Sequence, residues 1–217
     1  MSLTPKEISF NQVKQKKDVK ITTNLIVRLY EDSGYISEQD KESQARFIED
    51  IVSSPQTIVV GAFLDSNTVG NICIINDSDK GVPLDSLFKD ELGTIRNRGM
   101  SIVEIGQFVV DHKTLSRQTA KNVSLMLMKI VMHVTLDKGI DTICIGVNPK
   151  HVSFYKHIGF KELSLPKDYE QVNGAPCVPM YLNIKLALKK AARPQLNVFI
   201  KELFGNPPQK SLIQTFL

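Results

Sequence analysis

The stretch Ser101–Phe160 constrains the fold more than any other. It opens on SIVEIGQFVVD (101–111), an apolar run with one acid and one glycine, of strand length. A helical pattern follows over roughly Ser116–Lys138, where Val123, Leu125, Met126, Leu127, Met128, Ile130, Val131, Met132, Val134 and Leu136 cover most of the circumference. A helix apolar nearly all round must be covered on several sides, and Gly139 supplies a left-handed stop. Asp141–Val147 is a second strand-like run. Strand, buried helix, strand is a crossover unit, and strands joined that way lie parallel. A mixed sheet flanked by helices, in an α/β domain, is the expected architecture.

The rest of the chain supplies antiparallel material. Thr57–Leu64 and Thr68–Ile75 are apolar runs joined by Asp65-Ser66-Asn67, a hairpin signal. Glu7–Val13 alternates weakly and is a candidate first strand; Cys177–Ile184 is a candidate last one. Two early helices are expected, one over Val19–Tyr30 ended by Ser33-Gly34, the other opened by Ser37 and stopped by Pro55. The excursion Asn76–Gly99 holds a short helix around Leu84–Leu92 and reads as a substrate wall or a plain surface insertion. Residues 188–217 form a C-terminal amphipathic helix and tail, with Pro194 in the first turn, Leu196, Phe199, Ile200, Leu203 and Phe204 on its apolar side, and Gly205 as stop. That helix docks on its own domain or on a second subunit.

Composition excludes several classes. With 42% apolar and 23% charged residues the chain can build an ordinary globular core. It has no apolar run of membrane-spanning length, and MSLTPKEISFNQVKQKK lacks a signal peptide's apolar centre, so a cytoplasmic protein is expected. Cys73, Cys144 and Cys177 lie in or beside apolar runs and read as buried thiols. His112, His133, His151 and His157 show no ligand spacing, so no metal is assigned. A net charge of +4, no Trp and no aromatic-basic interleaving argue against nucleic acid.

A few residues stand out chemically. Glu104 sits mid-strand among Ile102, Val103, Ile105, Phe108, Val109 and Val110. A carboxylate there is costly unless it faces solvent or lines a wet cleft. In the second case burial lifts its pKa toward the range of a general base. Gly106 marks a candidate bulge that would splay this strand from its parallel neighbour and free N–H groups of Gln107, Phe108 and Val109, able to polarise a thioester carbonyl. Lys113, Arg117 and Lys121, spaced four apart at the helix start, read as one face that seats a phosphate or an acidic carrier protein, or as a solvated basic face. No glycine-rich turn for a pyrophosphate lies between Asp111 and Lys121. Tyr155, in HVSFYKHIGF after the second strand, can protonate a departing thiolate or simply pack.

EIGQFVVD, a helix, then VNPKHVSFYKHIGFKEL resembles the GNAT superfamily. More closely, YEDSGYI (30–36), KGVPLDSLFKDEL (80–92), VEIGQFVVD (103–111), VNPKHVSFYKHIGF (147–160) and YEQVNGAPCVPMYLNI (169–184) resemble the N-acyl amino acid synthases, relatives of the acyl-homoserine-lactone autoinducer synthases. The resemblance covers about residues 20–185 and places a GNAT-like acyltransferase domain at 1–187. It implies a central mixed sheet with splayed parallel strands. It also implies transfer of a long-chain fatty acyl group, held as a phosphopantetheine thioester on acyl carrier protein or CoA, to the amine of an amino acid or related small amine. On this pattern no cofactor is bound permanently. Glu104 matches the family's strand glutamate, Phe108 and Val110 the positions whose backbone follows the pantetheine, and Asn148 and Tyr155 the superfamily's positions after the second strand. The chain departs from Glu-x-Ser-Arg-Phe, having Glu104-Ile105-Gly106-Gln107-Phe108, and carries Asn71 and Cys73 where polar or basic substrate-facing residues often sit. An acetyl-CoA-dependent N-acetyltransferase and a non-catalytic acyl-binding module on the same fold are the alternatives.

Overall fold

The crossover unit lies where the sequence places it. In the computed structural model, which describes residues 7–191, 198–205, 207–208 and 210–217, it comprises β4 (Ile102–Val110), α4 (Arg117–Asp137) and β5 (Thr142–Val147). Before it come β1 (Ile8–Gln12), α1 (Lys16–Asp32), α2 (Lys41–Ser53), the hairpin β2 (Thr57–Leu64) and β3 (Asn67–Asn76), and α3 (Asp85–Arg96). After it come α5 (Val152–Ile158), the short strands β6 (Lys161–Glu162) and β7 (Lys167–Tyr169), β8 (Ala175–Asn183), α6 (Ile184–Ala191), α7 (Val198–Phe204) and α8 (Lys210–Gln214). The sheet runs β1-β2-β3-β4-β5-β8-β6, with β7 also on β8. Among the described residues, only the β4–β5 neighbours are parallel.

Helices cover both faces. On one, α4 packs with Ile58, Val60, Ile72, Ile74, Val103, Ile143 and Ile145. On the other, α1 and α2 bury Leu25, Ile26, Ile48 and Val52 against Val59, Cys73 and Ile75, while α3 buries Phe88 and Leu92 against Ile102 and Cys144. The close approach of α4 explains a glycine in β3: a Cβ on Gly70 would stand 3.0 Å from Val123 Cγ1 and 3.2 Å from Leu127 Cδ1.

Two boundaries differ from expectation. Ser37 does not open a helix; its hydroxyl donates to Asp40 Oδ2 at 2.8 Å and accepts the Asp40 N–H at 3.1 Å, making a turn that delays α2 to Lys41. The C-terminal helices dock on their own domain, since Leu203, Ile213 and Phe216 join the core under α4. Residues 187 and 188 fall inside α6, and Pro194 and Leu196 lie outside the described residues. No helix among the described residues is long and apolar enough to cross a membrane.

Candidate active site

The site begins where two parallel strands part. β4 and β5 pair only at Ile102↔Thr142, Val103↔Ile143 and Glu104↔Cys144. From there β5 stays with β8 through Val147↔Val178, while β4 stays with β3 through Gly70↔Val110. Each strand follows its antiparallel partner, so a fork opens beyond Glu104. The expected splay is present.

A bulge drives the opening. Asn71 faces Val109 and Cys73 faces Gly106, so β4 carries one extra residue against β3. The left-handed residue is Gln107, with φ +50°, and Gly106 has no such conformation. A Cβ on Gly106 would meet Ile75 Cδ1 at 3.6 Å and Glu104 Oε1 at 3.7 Å, ordinary contacts, so neither strain nor crowding demands that glycine. The strain falls on Gln107 and is held by a buried side chain: Asn71 Nδ2 donates to the Gln107 carbonyl at 3.0 Å. The bulge also resets the alternation of β4. Val103 and Ile105 point to the α4 face, and beyond the extra residue so do Phe108 and Val110, whereas Val109 turns into the α1–α2 core.

A cavity of about 450 Å³ passes through the fork and reaches both faces. On the α4 side its walls are almost wholly apolar, with Met128, Val131, Met132, Ile145, Val147, Phe154 and Ile158. On the other side stand Tyr30, Tyr35, Phe47, Leu84, Glu104, Tyr169 and Gln171. Gly106, Gln107, Phe108, Val110, Asn148 and Tyr155 also line it, bringing most of the expected site residues together. Val109, Lys113 and Arg117 do not; the first is paired with Asn71 and packed in the core, and the two cations are exposed.

Glu104 is the carboxylate of this cavity and is 8% exposed. Its Oε2 accepts the Leu84 N–H at 2.7 Å. Burial lifts its pKa to about 8 against the lowering effect of that N–H, with nearby Asp85 adding to the rise. A carboxyl in this range takes up and releases a proton near neutral pH, as a base working on an amine must.

The turn from β4 to α4 is built around a second carboxylate. Asp111, buried, accepts the N–H groups of Lys113 (3.0 Å) and Thr114 (3.2 Å), the Thr114 hydroxyl (2.8 Å) and Arg28 Nη2 of α1 (2.6 Å). Burial alone would raise its pKa; these donors, Arg28 foremost, hold it at about 2. Lys113 therefore lies in this turn and pairs with Asp32 at 2.8 Å. Because α4 starts only at Arg117, behind an N-cap in which the Ser116 hydroxyl accepts the Thr119 N–H, the expected three-cation face reduces to Arg117 and Lys121. A carboxyl whose folded pKa lies below its ordinary value stabilises the fold above that value and loses the effect as pH falls toward 2. Arg28→Ala is thus expected to cost about 1–2 kcal/mol at pH 7 and much less at pH 2, measured as urea midpoints at both pH values.

Tyr155 points its ring between Phe154 and Phe160, edge-on at 5.3 and 5.5 Å. Burial raises its pKa, so the phenol keeps its proton. Asn148 sits opposite β4 in the fork and caps the following turn by accepting the Lys150 N–H at 3.2 Å. Sequence reading missed Tyr30, Tyr35 and Tyr169, which with Tyr155 make four of the chain's five tyrosines on one cavity. It also missed Leu84, Arg28 and Leu203. These come from separate segments, and no spacing links them.

Known proteins similar to this chain agree with its geometry. A family model described as N-acyl amino acid synthase FeeM matches residues 22–183. The solved structure of FeeM, an N-acyl amino acid synthase from uncultured soil microbes, superposes with a TM-score of 0.73 at 26% identity, covering 84% of this chain and 93% of that one. A GNAT-family acetyltransferase of Desulfovibrio desulfuricans (TM-score 0.54, 12% identity, 82% and 99% covered) and an aminoglycoside 6'-acetyltransferase type Ii (0.53, 17%, 81% and 97%) share the fold. No curated protein matches. With a family model spanning both the fork and the bulged strand, the chain belongs to the FeeM family of N-acyl amino acid synthases and is an N-acyltransferase on the GNAT fold.

Proposed function

We propose that the enzyme transfers a long-chain fatty acyl group from acyl carrier protein to the amine of an amino acid or a related small amine, in the cytoplasm. The observation that carries this reading is the cavity through the fork, apolar along α4 and polar at Glu104. The apolar limb suits an acyl chain. The thioester lies in the fork beside the bulge, its arm following Phe108 to Val110 toward Asn148. N–H groups around Gln107 and Phe108 polarise the carbonyl. The amine enters beside Glu104, passes its proton to that carboxylate and attacks the carbonyl carbon. As the C–S bond breaks, the Tyr155 phenol protonates the sulfur, leaving an amide and a free phosphopantetheine thiol; the proton that Glu104 took from the amine passes through solvent to restore the phenol.

The β4–α4 turn supports a carrier-protein donor over CoA. A CoA pyrophosphate needs free N–H groups there, but those of Lys113 and Thr114 already serve the anionic carboxylate of Asp111. Exposed Arg117 and Lys121 on the first turns of α4 offer charge to an acidic carrier protein instead. The test is product mass spectrometry with one acyl chain presented on carrier protein and on CoA, across a panel of amines. Carrier-protein transfer faster than CoA transfer is expected. Acetyl-CoA as the preferred donor would make the enzyme an ordinary acetyltransferase, and lipid binding without turnover would make it a binding module. Tyr155→Phe is expected to slow turnover by about 10²-fold, the low end of what a positioned acid contributes, with the loss in kcat and little change in the KM of the acyl donor.

A further inference from the structure

We infer that Leu203, on a helix beyond the residues shared with the family model, closes the deep end of the cavity and sets the longest acyl chain the enzyme accepts. The inference rests on the acyl chain occupying the apolar limb.

The geometry runs as follows along α4. Ser124, Met128, Val131 and Met132 line the cavity and form one helical stripe. The helix starts at the open end of the fork, where Val123 and Leu127 pack on Gly70, itself paired with Val110. It then runs back toward the paired end of β4 and β5. At about 1.5 Å per residue, Ser124 to Met132 spans about 12 Å, so the stripe leads inward from the open fork. At its inner end sits α7. α7 packs on α4, with the backbone of Gly205 beside the His133 ring, which places the end of α7 near Met132. Leu203 lines the cavity there and is 2% exposed, as Met132 is 4%. With both side chains buried and both on the cavity wall, the limit on chain length falls where they stand.

The family match ends at residue 183. Residue 203 therefore lies outside the segment that the family model describes. Volume at position 203 should then trade directly against acyl length, because a close-packed wall has no slack to absorb an added methylene.

The test compares the intact wild type with Leu203→Ala, Leu203→Phe and, as a control, Ile200→Ala. Ile200 is buried on the same helix and does not line the cavity. Two readouts are taken: binding of free fatty acids from eight to eighteen carbons, and the acyl lengths of products. Leu203→Ala removes three side-chain carbons and should lengthen the optimum by about that many. Leu203→Phe should weaken the longest chain bound by wild type about tenfold or more while sparing short ones. Ile200→Ala should lower the melting temperature and leave the length profile alone. Identical profiles for all four proteins, or the same shift with Ile200→Ala as with Leu203→Ala, would overturn the assignment. Binding that tracks residue 203 in a protein that acylates no amine would retain the gauge and remove the transferase reading, so the two fail separately.

Discussion

Glu104→Gln is expected to lower kcat/KM by about 10²- to 10⁴-fold, the range a positioned general base contributes, while leaving acyl-chain binding intact. The size follows from the environment of the side chain. Its carboxyl is held in an apolar wall with one backbone donor, Leu84 N–H, and its pKa lies near 8 because burial disfavours the charge. Two pH measurements check this. The wild-type rate should climb with pH through about 8 as the carboxylate forms, and the glutamine variant should lose that limb. Stability should move the other way. A carboxyl whose folded pKa is raised stabilises the fold below its ordinary value, and that contribution is lost as pH rises through the folded pKa. Between about pH 5 and 8 the wild type should therefore lose stability relative to Glu104→Gln, read as the difference in urea midpoints. A flat difference across that window, together with an unchanged rate, would remove Glu104 from the reaction.

Asn71→Leu is the second large effect. This side chain is completely buried, and its amide holds the carbonyl of left-handed Gln107 at 3.0 Å. Leucine fills a similar volume without a donor, leaving a half-buried carbonyl without its anchor at a cost of about 1 kcal/mol. The chain can relieve that cost by relaxing the bulge, which realigns β4 with β3 and moves the N–H groups beside Phe108. A displacement of about 1 Å in such donors costs on the order of 10²-fold in rate. Asn71→Leu should thus lower the melting temperature by a few degrees and kcat by about two orders of magnitude, although Asn71 does not line the cavity. Loss of stability with kcat retained would mean that the bulge survives without its anchor.

The three buried thiols show a limit on chemistry rather than an addition to it. Cys177 stands on the cavity wall, yet burial pushes its pKa up to about 12, with Glu104 adding to the rise, so it stays a thiol beside the carboxylate. An acyl-cysteine intermediate would need the thiolate. Direct attack by the amine meets no such obstacle.

Much of this was legible in the residues because periodicity and burial are local properties. The apolar run around Glu104, the all-round apolar α4 and the glycine stop after it announce a parallel pair with a helix between, and the fold has all three. A lone acid in such a strand already implies either solvent or a cavity. What spacing could not supply was every feature made by residues distant along the chain. Gly106 drew attention to the bulge, but the strained residue is Gln107, because the anchor comes from Asn71 on the neighbouring strand. Lys113 looked helical by spacing, but Asp111, gripped by Arg28 from α1, gathers the N–H groups of that segment into a turn and delays the helix.

The sequence by itself therefore determined the order of elements, the parallel pair and the identity of the acid between them, since each is read from side chains within a few residues of one another. Tertiary structure alone decided which side of the sheet the apolar and the polar walls of the cavity lie on, and what holds Glu104 and Gln107 in their unfavourable states. Those outcomes depend on contacts across the sheet, where Leu84, Asn71 and Leu203 arrive from segments that no local pattern connects to the strand they serve.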